Sequence, residues 1–453
     1  MVLEKVPLLV LAAGSCVVTY LAQHEGRAVA PSEVFALSAR LGNALVAYAA
    51  YIGKMFVPAR LGVYYPHPGS GLPAWQIVLS GLALVLITTL ALVPARRRRY
   101  MAVGWLWYLG TLVPVIGLVQ VGSQAMADRY TYVPLIGLFI ALAWAIPDLF
   151  ESWNKRPQIA LSVVAAVIIL VLATCAWRQA GYWRDNMTLL ARTLQVTKNN
   201  YFIENNLGVV LEERGKVKEA VAHYTRAIRI NPRYADPRVN LANILSNQGK
   251  VDEAITGYKR AIRLNPYEAR AYNNLGAVLE QRGEVEAAIE YYSKAAEVQP
   301  DLAAAHANLG HAYLEVGRTD EAIEEYVEAA RLDPLSAETH HSLGLALAQA
   351  GSMEEAIRCH EEALRINPDY ADAHVDLGVA LVSQGRLDEA AEHYKQALRI
   401  KPAHAKAHNN LAVVWYARGD YEEAWREITL CRKYGVEPHP GLVKVVSEGL
   451  AKR

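Results

Sequence analysis

A period of 34 residues constrains this chain more than any other feature of its sequence. Proline recurs at this interval from Pro232 to Pro402, glycine from Gly215 to Gly419, and leucine from Leu207 to Leu411. Self-similarity at a fixed period predicts stacked helical or strand units, each of which buries its apolar face only against its neighbours. The second half of the chain is therefore not a single globular core.

Seven repeats cover residues 201–436 when Tyr201 is taken as position 1. Glycine at position 15 marks a turn between two helices, and proline at position 32 ends the second helix because it has no amide hydrogen. This pattern is typical of the tetratricopeptide repeat, so we expect a right-handed superhelix of helix pairs. Residues 178–200 are predicted to form a connector with an N-terminal capping helix, and residues 437–453 a C-terminal capping helix.

The first 177 residues contain apolar runs long enough to cross a bilayer, which takes roughly 20 apolar residues of helix. A further stretch, 41–58, carries Lys54 and fits a helix that lies in the membrane interface. The predicted fold is all-α: a multi-span membrane bundle over residues 1–177 followed by the superhelix. Five transmembrane helices are predicted, at residues 6–22, 75–93, 101–119, 131–147 and 159–177.

Basic residues predict the orientation of these spans. Arg96, Arg97, Arg98 and Arg99 lie between the second and third spans, and Lys155 lies between the fourth and fifth. The positive-inside rule places both loops in the cytoplasm. The chain then leaves the fifth span on the outer side. We expect an integral membrane protein, of the bacterial inner membrane, whose array is extracytoplasmic or periplasmic.

Charge and cysteine content exclude two classes of function. Residues 178–453 hold 34 basic and 39 acidic residues, so bulk positive charge for nucleic-acid binding is absent. The four cysteines have neither the number of a disulfide scaffold nor the spacing of a metal or redox motif. The partners we expect are membrane lipids and a protein or extended peptide, and no nucleic acid.

One face of the first helix of each repeat carries a column of amides at position 6. At about 100° per residue, this position lies roughly opposite the packing positions 4, 7, 8 and 11 and is predicted to be exposed. An amide offers both a donor and an acceptor to a peptide backbone, whereas asparagine is a poor helix-interior residue. The column predicts a groove for extended polypeptide; a polar face inherited by repeat duplication is the alternative. Its members are Asn206, Asn240, Asn274, Asn308, Ser342, Asp376 and Asn410.

Histidine forms a second column, with His306, His340, His374 and His408 at position 4. Packed helices lie about 8–10 Å apart, whereas zinc ligands lie about 2 Å from the ion, so successive members cannot share a metal. We expect these rings to fill a packing slot that a large aromatic residue otherwise takes. The sequence predicts no metal site.

The repeats resemble those of O-GlcNAc transferase, in which an asparagine column in the same register holds substrate peptide. Residues 272–276 and 408–411 carry the resemblance best, while Ser342 and Asp376 depart from it. No nucleotide-sugar transferase domain follows the repeats, so the resemblance implies peptide binding and not the catalysis of that enzyme.

Several short sequence motifs within residues 1–177 indicate a protein family more specifically than hydropathy does. They are residues 64–68, 104–107, 112–114 and 127–134. With the repeats directly behind them, they resemble the C-terminal part of the transmembrane-and-TPR O-mannosyltransferase-like proteins, which are related to polytopic glycosyltransferases. The resemblance implies an extracytoplasmic active site and an array that presents polypeptide acceptors. It also implies a polyprenyl-phosphate sugar as donor substrate, and no cofactor is expected.

Asp128, Arg129, Tyr130 and His67 are the candidates for binding the lipid phosphate or sugar. Arginine pairs with phosphate through parallel hydrogen bonds, and an aspartate beside it can orient the guanidinium. The alternatives are an interfacial ion pair that anchors the fourth span, for Asp128 and Arg129, and a solvated loop residue, for His67.

No catalytic residue is assigned. The resemblance implies a catalytic acid in the first outer loop, and neither Glu25 nor Glu33 lies in such a context. The chain is interpreted as a truncated relative, the product of a mis-set start codon, or a non-catalytic descendant, and whether it is an enzyme is left open. We expect a membrane-anchored protein that binds polypeptide partners or acceptors; the alternative is a non-catalytic membrane-tethered scaffold for protein complex assembly.

Overall fold

The structure, a computed structural model, describes residues 36–56, 61–68, 71–113, 115–116, 124–126, 131–150 and 155–451. The predicted span at 6–22 lies outside the described residues, as do Asp128, Arg129 and Tyr130. The chain divides into two compact units, Met1–Pro237 and Arg238–Arg453. The described backbone is predominantly helical, which confirms the all-α class.

The first unit contains eight described α-helices and one short antiparallel strand pair. In chain order these are α1 (Leu37–Phe56), β1 (Tyr65–Pro66), α2 (Ala74–Leu92), α3 (Arg99–Leu112), β2 (Gln124–Met126), α4 (Tyr132–Phe150), α5 (Lys155–Gly181), α6 (Asn186–Val196), α7 (Tyr201–Glu213) and α8 (Val217–Ile230). A 3₁₀ turn, Val93–Arg96, follows α2.

The second unit consists of helices throughout its described residues, and its first helix begins at the boundary between the units. The helices are α9 (Asp236–Asn247), α10 (Val251–Leu264), α11 (Ala269–Gln281), α12 (Val285–Val298), α13 (Ala303–Glu315), α14 (Thr319–Leu332), α15 (Ala337–Gln349), α16 (Met353–Ile366), α17 (Ala371–Ser383), α18 (Leu387–Ile400), α19 (Ala405–Arg418), α20 (Tyr421–Lys433) and α21 (Pro440–Ala451).

Two segments among the described residues are long and apolar enough to cross a membrane, judged by length and composition. They are Ala74–Arg96 and Ser162–Gly181, while Tyr132–Ile146 is apolar but shorter. Within the predicted span at 101–119, helix α3 ends at Leu112. Proline follows at position 114, and a proline disfavours helix for the residue before it.

Aromatic side chains form the buried core of the first unit. Tyr51, Trp105 and Tyr108 are almost completely buried between α1, α2 and α3. The Tyr108 hydroxyl donates to the carbonyl of Tyr48 over 2.6 Å, and Trp105 Nε1 donates to Thr88 Oγ1 over 2.9 Å. The polar groups of Tyr108 and Trp105 therefore both have a partner, which the apolar surroundings require.

Helices α3 and α4 cross at a pair of glycines. A Cβ added at Gly104 would lie 2.3 Å from the carbonyl oxygen of Gly137, and one added at Gly137 would lie 2.4 Å from the oxygen of Gly104. No side chain fits between these backbones. Small residues are common where two helices cross closely inside a membrane.

The predicted turns of the repeats are confirmed. Glycine at position 15 has φ between +74° and +85° in all seven repeats, a left-handed conformation that residues with a Cβ adopt only with strain. Each second helix that precedes a position-32 proline ends two residues before it. The sequence period thus sets the start and end of each helix pair.

The histidine column has the packing role that we expected. Nε2 of His306 lies 3.1 Å from the carbonyl oxygen of Pro300, and its Nδ1 lies 2.6 Å from Oε2 of Glu325. His408 makes the equivalent contacts to Pro402 and Glu427. These two rings join the end of the preceding repeat to the second helix of their own repeat.

Candidate functional site

The amides of repeats two to four form a continuous chain of hydrogen bonds. The Tyr258 hydroxyl donates to Oδ1 of Asn243 over 2.6 Å, and Nδ2 of Asn274 donates to the same oxygen over 2.9 Å. Nδ2 of Asn273 donates to Oδ1 of Asn274 over 3.3 Å, and Nδ2 of Asn308 donates to Oδ1 of Asn273 over 3.0 Å. The column therefore links successive repeats to one another.

The column is less exposed than predicted. Asn240 is buried, and the other six members at position 6 are half-buried. Position 9 of the same helices is the more exposed one, as at Ala277, His311 and Leu345. The helical-wheel projection predicted that position 6 faces solvent. In the structure the neighbouring repeat partly covers these side chains, because they form hydrogen bonds to it.

Within this series of hydrogen-bonded amides, some donor and acceptor groups remain available to bind a ligand. An amide group has two N–H donors and an oxygen with two lone pairs. Asn274 uses one donor toward Asn243 and one acceptor position toward Asn273. One donor and one lone pair are left at Asn274 for a peptide N–H or C=O.

The fifth and sixth repeats replace the amides with an imidazole and a carboxylate. Nε2 of His341, at position 5, lies 2.8 Å from Oδ2 of Asp376, at position 6 of the next repeat. The Tyr370 hydroxyl lies 3.2 Å from Nδ1 of the same ring. The link between positions 5 and 6 that joins Asn273 to Asn308 is therefore present here with a different pair.

Strand β1 lies within residues 64–68, and its partner β2 directly precedes residues 127–134 in the sequence. Tyr65 pairs with Met126 and Pro66 with Gln124. The Asn43 side chain fixes this pair from α1, since its Nδ2 donates to the carbonyl of Ala125 over 3.1 Å. The pairing therefore holds residues 124–126 beside the loop that contains residues 64–68.

A cavity of about 410 Å³ lies beside this strand pair in the first unit. It is mostly apolar, with Leu135, Phe139 and Leu172 among its lining residues, and it contains two cations, Lys54 and Arg192. The Lys54 ammonium lies 3.7 Å from the centre of the Tyr65 ring. Nε of Arg192 is buried and has no hydrogen-bond partner.

His67 follows β1 and is half-buried. Burial lowers the pKa of its imidazole below the ordinary value of 6.5. The imidazole is therefore partly shielded from solvent.

The loop that carries Tyr64 is attached to the first repeat. Nδ2 of Asn200 donates to the carbonyl of Tyr64 over 3.1 Å, and the Tyr64 ring stacks on Phe202 with centroids 4.6 Å apart. Asn200 also begins α7, because its Oδ1 accepts from the N–H of Ile203. One residue thus caps the first repeat helix and holds the loop.

A further cluster, of side chains that can bind a metal ion, was not predicted from the sequence. The ligand atoms of Glu280, His311 and Glu315 lie within 4.8 Å of one another. Glu280 comes from α11, while His311 and Glu315 stand four residues apart on α13. The four-residue spacing of His311 and Glu315 places both on one helix face, and this part of the cluster could have been predicted from the sequence. Glu280 could not, because it comes from the preceding repeat.

Comparison with known proteins supports the repeat class. A family described as tetratricopeptide repeat matches residues 208–249, and the C-terminal domain of cilia and flagella-associated protein 70 matches residues 233–439. The chain is a tetratricopeptide-repeat protein.

Its curated relatives are protein O-mannosyl-transferases at low identity. TMTC1 of Homo sapiens is 28% identical over 154 residues, which are 34% of this chain and 18% of the relative. Tmtc3 of Drosophila melanogaster is 28% identical over 138 residues, or 30% of this chain and 14% of the relative. The chain thus matches less than a fifth of the length of these two proteins. The resemblance expected from the sequence is confirmed at this coarse level.

Two solved structures are similar to part of the chain. YrrB, described as a TPR protein with an unusual peptide-binding site, is 26% identical, and the match covers 41% of this chain and 95% of YrrB with a TM-score of 0.37. MamA is 27% identical, with 40% of this chain and 98% of MamA covered and a TM-score of 0.34.

Proposed function

We propose that this chain is a membrane-anchored protein whose repeat array lies outside the cytoplasm and binds extended polypeptide. The observation that carries the proposal is the amide chain from Asn243 to Asn308, which fixes side chains of dual hydrogen-bonding capacity along successive repeats. Amides held by one another lose little conformational entropy when a ligand binds, because they are already ordered.

Exposed apolar surface supports the membrane anchor. Leu82 and Val85 on α2, and Ile169 and Leu170 on α5, are each about 60% exposed or more. Contiguous apolar surface of this size is unfavourable in water and is typical of contact with lipid. The arginines at residues 96–99 then favour a cytoplasmic position for the loop between α2 and α3.

Peptide binding is tested by substituting amides with spare capacity. The full chain in lipid nanodiscs is presented with a library of unstructured peptides, and affinity is measured for the wild type and for Asn274→Ala. A lost peptide–amide hydrogen bond weakens binding by about 3- to 10-fold. The matched control is Asn247→Ala, an exposed asparagine at position 13. Equal peptide affinity of all three proteins would overturn the proposal.

The cavity with Lys54 and Arg192 supports a second part of the proposal, which is that a polyprenyl phosphate binds in the first unit. Its apolar lining fits an isoprenoid chain, and two cations fit a phosphate. The buried Nε of Arg192 has a hydrogen bond to donate. We propose that Asp128, Arg129 and Tyr130, which follow β2 in the sequence, contribute to binding the same phosphate.

The lipid part has its own test. A short-chain polyprenyl phosphate is titrated into the full chain in nanodiscs, with Arg192→Gln and Lys54→Gln as variants and the exposed Lys198→Gln as control. Loss of one charge-assisted hydrogen bond weakens binding by about 10-fold or more. Unchanged affinity in both variants would contradict a phosphate site in this cavity.

The rival function, a non-catalytic scaffold, is favoured by one observation. The amides bond to each other, which accounts for the column as a link between repeats without any ligand. A scaffold binds a folded partner through exposed positions such as 9 and 13 rather than through position 6. Partner binding that is lost on substitution at position 9 but is insensitive to Asn274→Ala would support the scaffold.

A further inference from the structure

We propose that Glu280, His311 and Glu315 form a divalent-metal site on the array, with zinc as the preferred ion. The three side chains supply one imidazole nitrogen and two carboxylate oxygens, and these ligand atoms lie within 4.8 Å of one another. Three protein ligands of this kind with an open fourth position are the set that zinc takes in sites where it meets a ligand.

The repeats themselves provide an internal comparison. The ligands occupy position 12 of one repeat and positions 9 and 13 of the next, so every pair of neighbouring repeats has the same three positions. In the other five pairs, position 9 is asparagine, alanine, leucine or valine, at Asn243, Ala277, Leu345, Val379 and Val413. Only the pair of repeats three and four carries three side chains that bind metal, which repeat duplication alone does not explain.

The first ligand is held in place by a neighbour. The Tyr292 hydroxyl donates to Oε2 of Glu280 over 2.6 Å, while Oε1 lies 2.7 Å from Nδ1 of His311. The carboxylate is therefore oriented before any ion arrives. Hydrogen bonds of this kind to a ligating carboxylate raise metal affinity, and their loss costs about 10-fold or more.

The local charge favours a cation. The carboxylates of Glu280, Glu315 and Glu338 all lie near His311. A divalent ion bound here would neutralise part of this negative charge.

One of the three proposed ligands, His311, also lines a cavity. A cavity of about 320 Å³ is lined by His311, Asn308 and Ser342 and by the small side chains of Ala304 and Ala307. Two of these residues belong to the amide column. A carboxylate or imidazole of a bound polypeptide can therefore complete the coordination of the ion.

The test uses the full chain in nanodiscs, dialysed against Zn²⁺ or Co²⁺ alone, with no peptide added. We expect one tightly bound ion per chain, and the visible spectrum of the Co²⁺ form should show a four-coordinate site. His311→Val and Glu315→Gln install residues that other repeats carry at these registers, Val379 and Gln349 among them, so both variants should fold. Each should weaken binding about 100-fold, and Tyr292→Phe about 10-fold.

Glu290→Gln, an exposed glutamate on α12, is the matched control and should bind zinc as the wild type does. The proposal is overturned if His311→Val and Glu315→Gln retain the stoichiometry and affinity of the wild type. It is also overturned if the wild type binds no ion but binds a lysine-rich peptide at these carboxylates, since the cluster would then recognise an amine.

Discussion

Nδ2 of Asn308 donates a hydrogen bond to Oδ1 of Asn273 in the preceding repeat, over 3.0 Å. His341 and Asp376 are joined at the same two positions two repeats further on. A neutral amide pair and an imidazole–carboxylate pair thus serve one structural purpose. The column at position 6 is primarily a link along the array, and any ligand must share its hydrogen-bonding groups with that link.

Asn308→Ala should destabilise the array. It removes the donor to Asn273 and leaves that half-buried oxygen without this partner, so the free energy of unfolding should fall by about 0.5–1.5 kcal/mol. Urea unfolding followed by circular dichroism measures the change. Asn247→Ala removes an exposed asparagine and should have a near-zero effect; an equal loss in both variants would contradict the link.

The sixth repeat should lose stability in acid. Nδ1 of His374 lies 3.0 Å from Nδ1 of His393. Burial lowers the pKa of both rings below 6.5, and for His393 the proximity of His374 adds to the effect. Below about pH 6.5 the unfolded chain binds more protons than the folded one, so this contribution is present above that pH and is lost as the pH falls.

His393→Glu should remove this sensitivity, because repeats four and seven place a glutamate at the same position opposite their histidine. The measurement is the fall in Tm between about pH 7.5 and pH 5.5, which should be smaller in the variant by about 2 °C or more. Lys395→Gln, on the same helix, is the control. Identical pH profiles of wild type and His393→Glu would count against the pair.

Gly378→Ala should destabilise the sixth repeat through a steric clash. A Cβ at this position would lie 2.5 Å from Cε1 of Tyr394. Overpacking of this kind costs about 1–3 kcal/mol. The seventh repeat has alanine and isoleucine at these positions, Ala412 and Ile428. Tyr394→Ile should therefore cost less in the Gly378→Ala background than alone, and strict additivity in a double-mutant cycle would contradict this packing.

Two substitutions at Asn200 should separate its roles. Asn200→Asp keeps the oxygen that accepts from Ile203 but loses the Nδ2 donor to Tyr64, whereas Asn200→Ala loses both. We expect faster hydrogen exchange in residues 61–68 for both variants. Loss of the cap costs about 0.5–2 kcal/mol, so only Asn200→Ala should lower Tm substantially. Unchanged exchange in the loop of Asn200→Asp would contradict its attachment.

Periodicity predicted the helix pairs because the residues that set them act locally. Gly215 and its counterparts turn the chain, and Pro232 and its counterparts end the second helices, whatever lies elsewhere. For the histidines at position 4, helix spacing predicted only that successive members cannot share a metal ion. The amide chain was not predicted, because it joins positions 5, 6 and 9 of different repeats and depends on how the repeats are packed.

The same limit applies to the candidate sites. Lys54 and Arg192 are 138 positions apart in the sequence, and only the fold places both in one cavity. Glu280 stands on a different repeat from His311 and Glu315. A helical-wheel projection of one helix takes no account of neighbouring repeats. It therefore predicted that position 6 is exposed, whereas in the structure this position is half-buried or buried.

The side of the membrane on which the array lies is tested most directly by labelling single cysteines with a maleimide that cannot cross membranes. The native cysteines Cys16, Cys175, Cys359 and Cys431 are replaced by alanine, and Lys218→Cys in the first repeat is compared with Arg97→Cys in the loop after α2. In intact spheroplasts the account predicts labelling at position 218 and protection at position 97 until lysis. Labelling at position 97 with protection at position 218 would contradict the account, because the array would then face the cytoplasm.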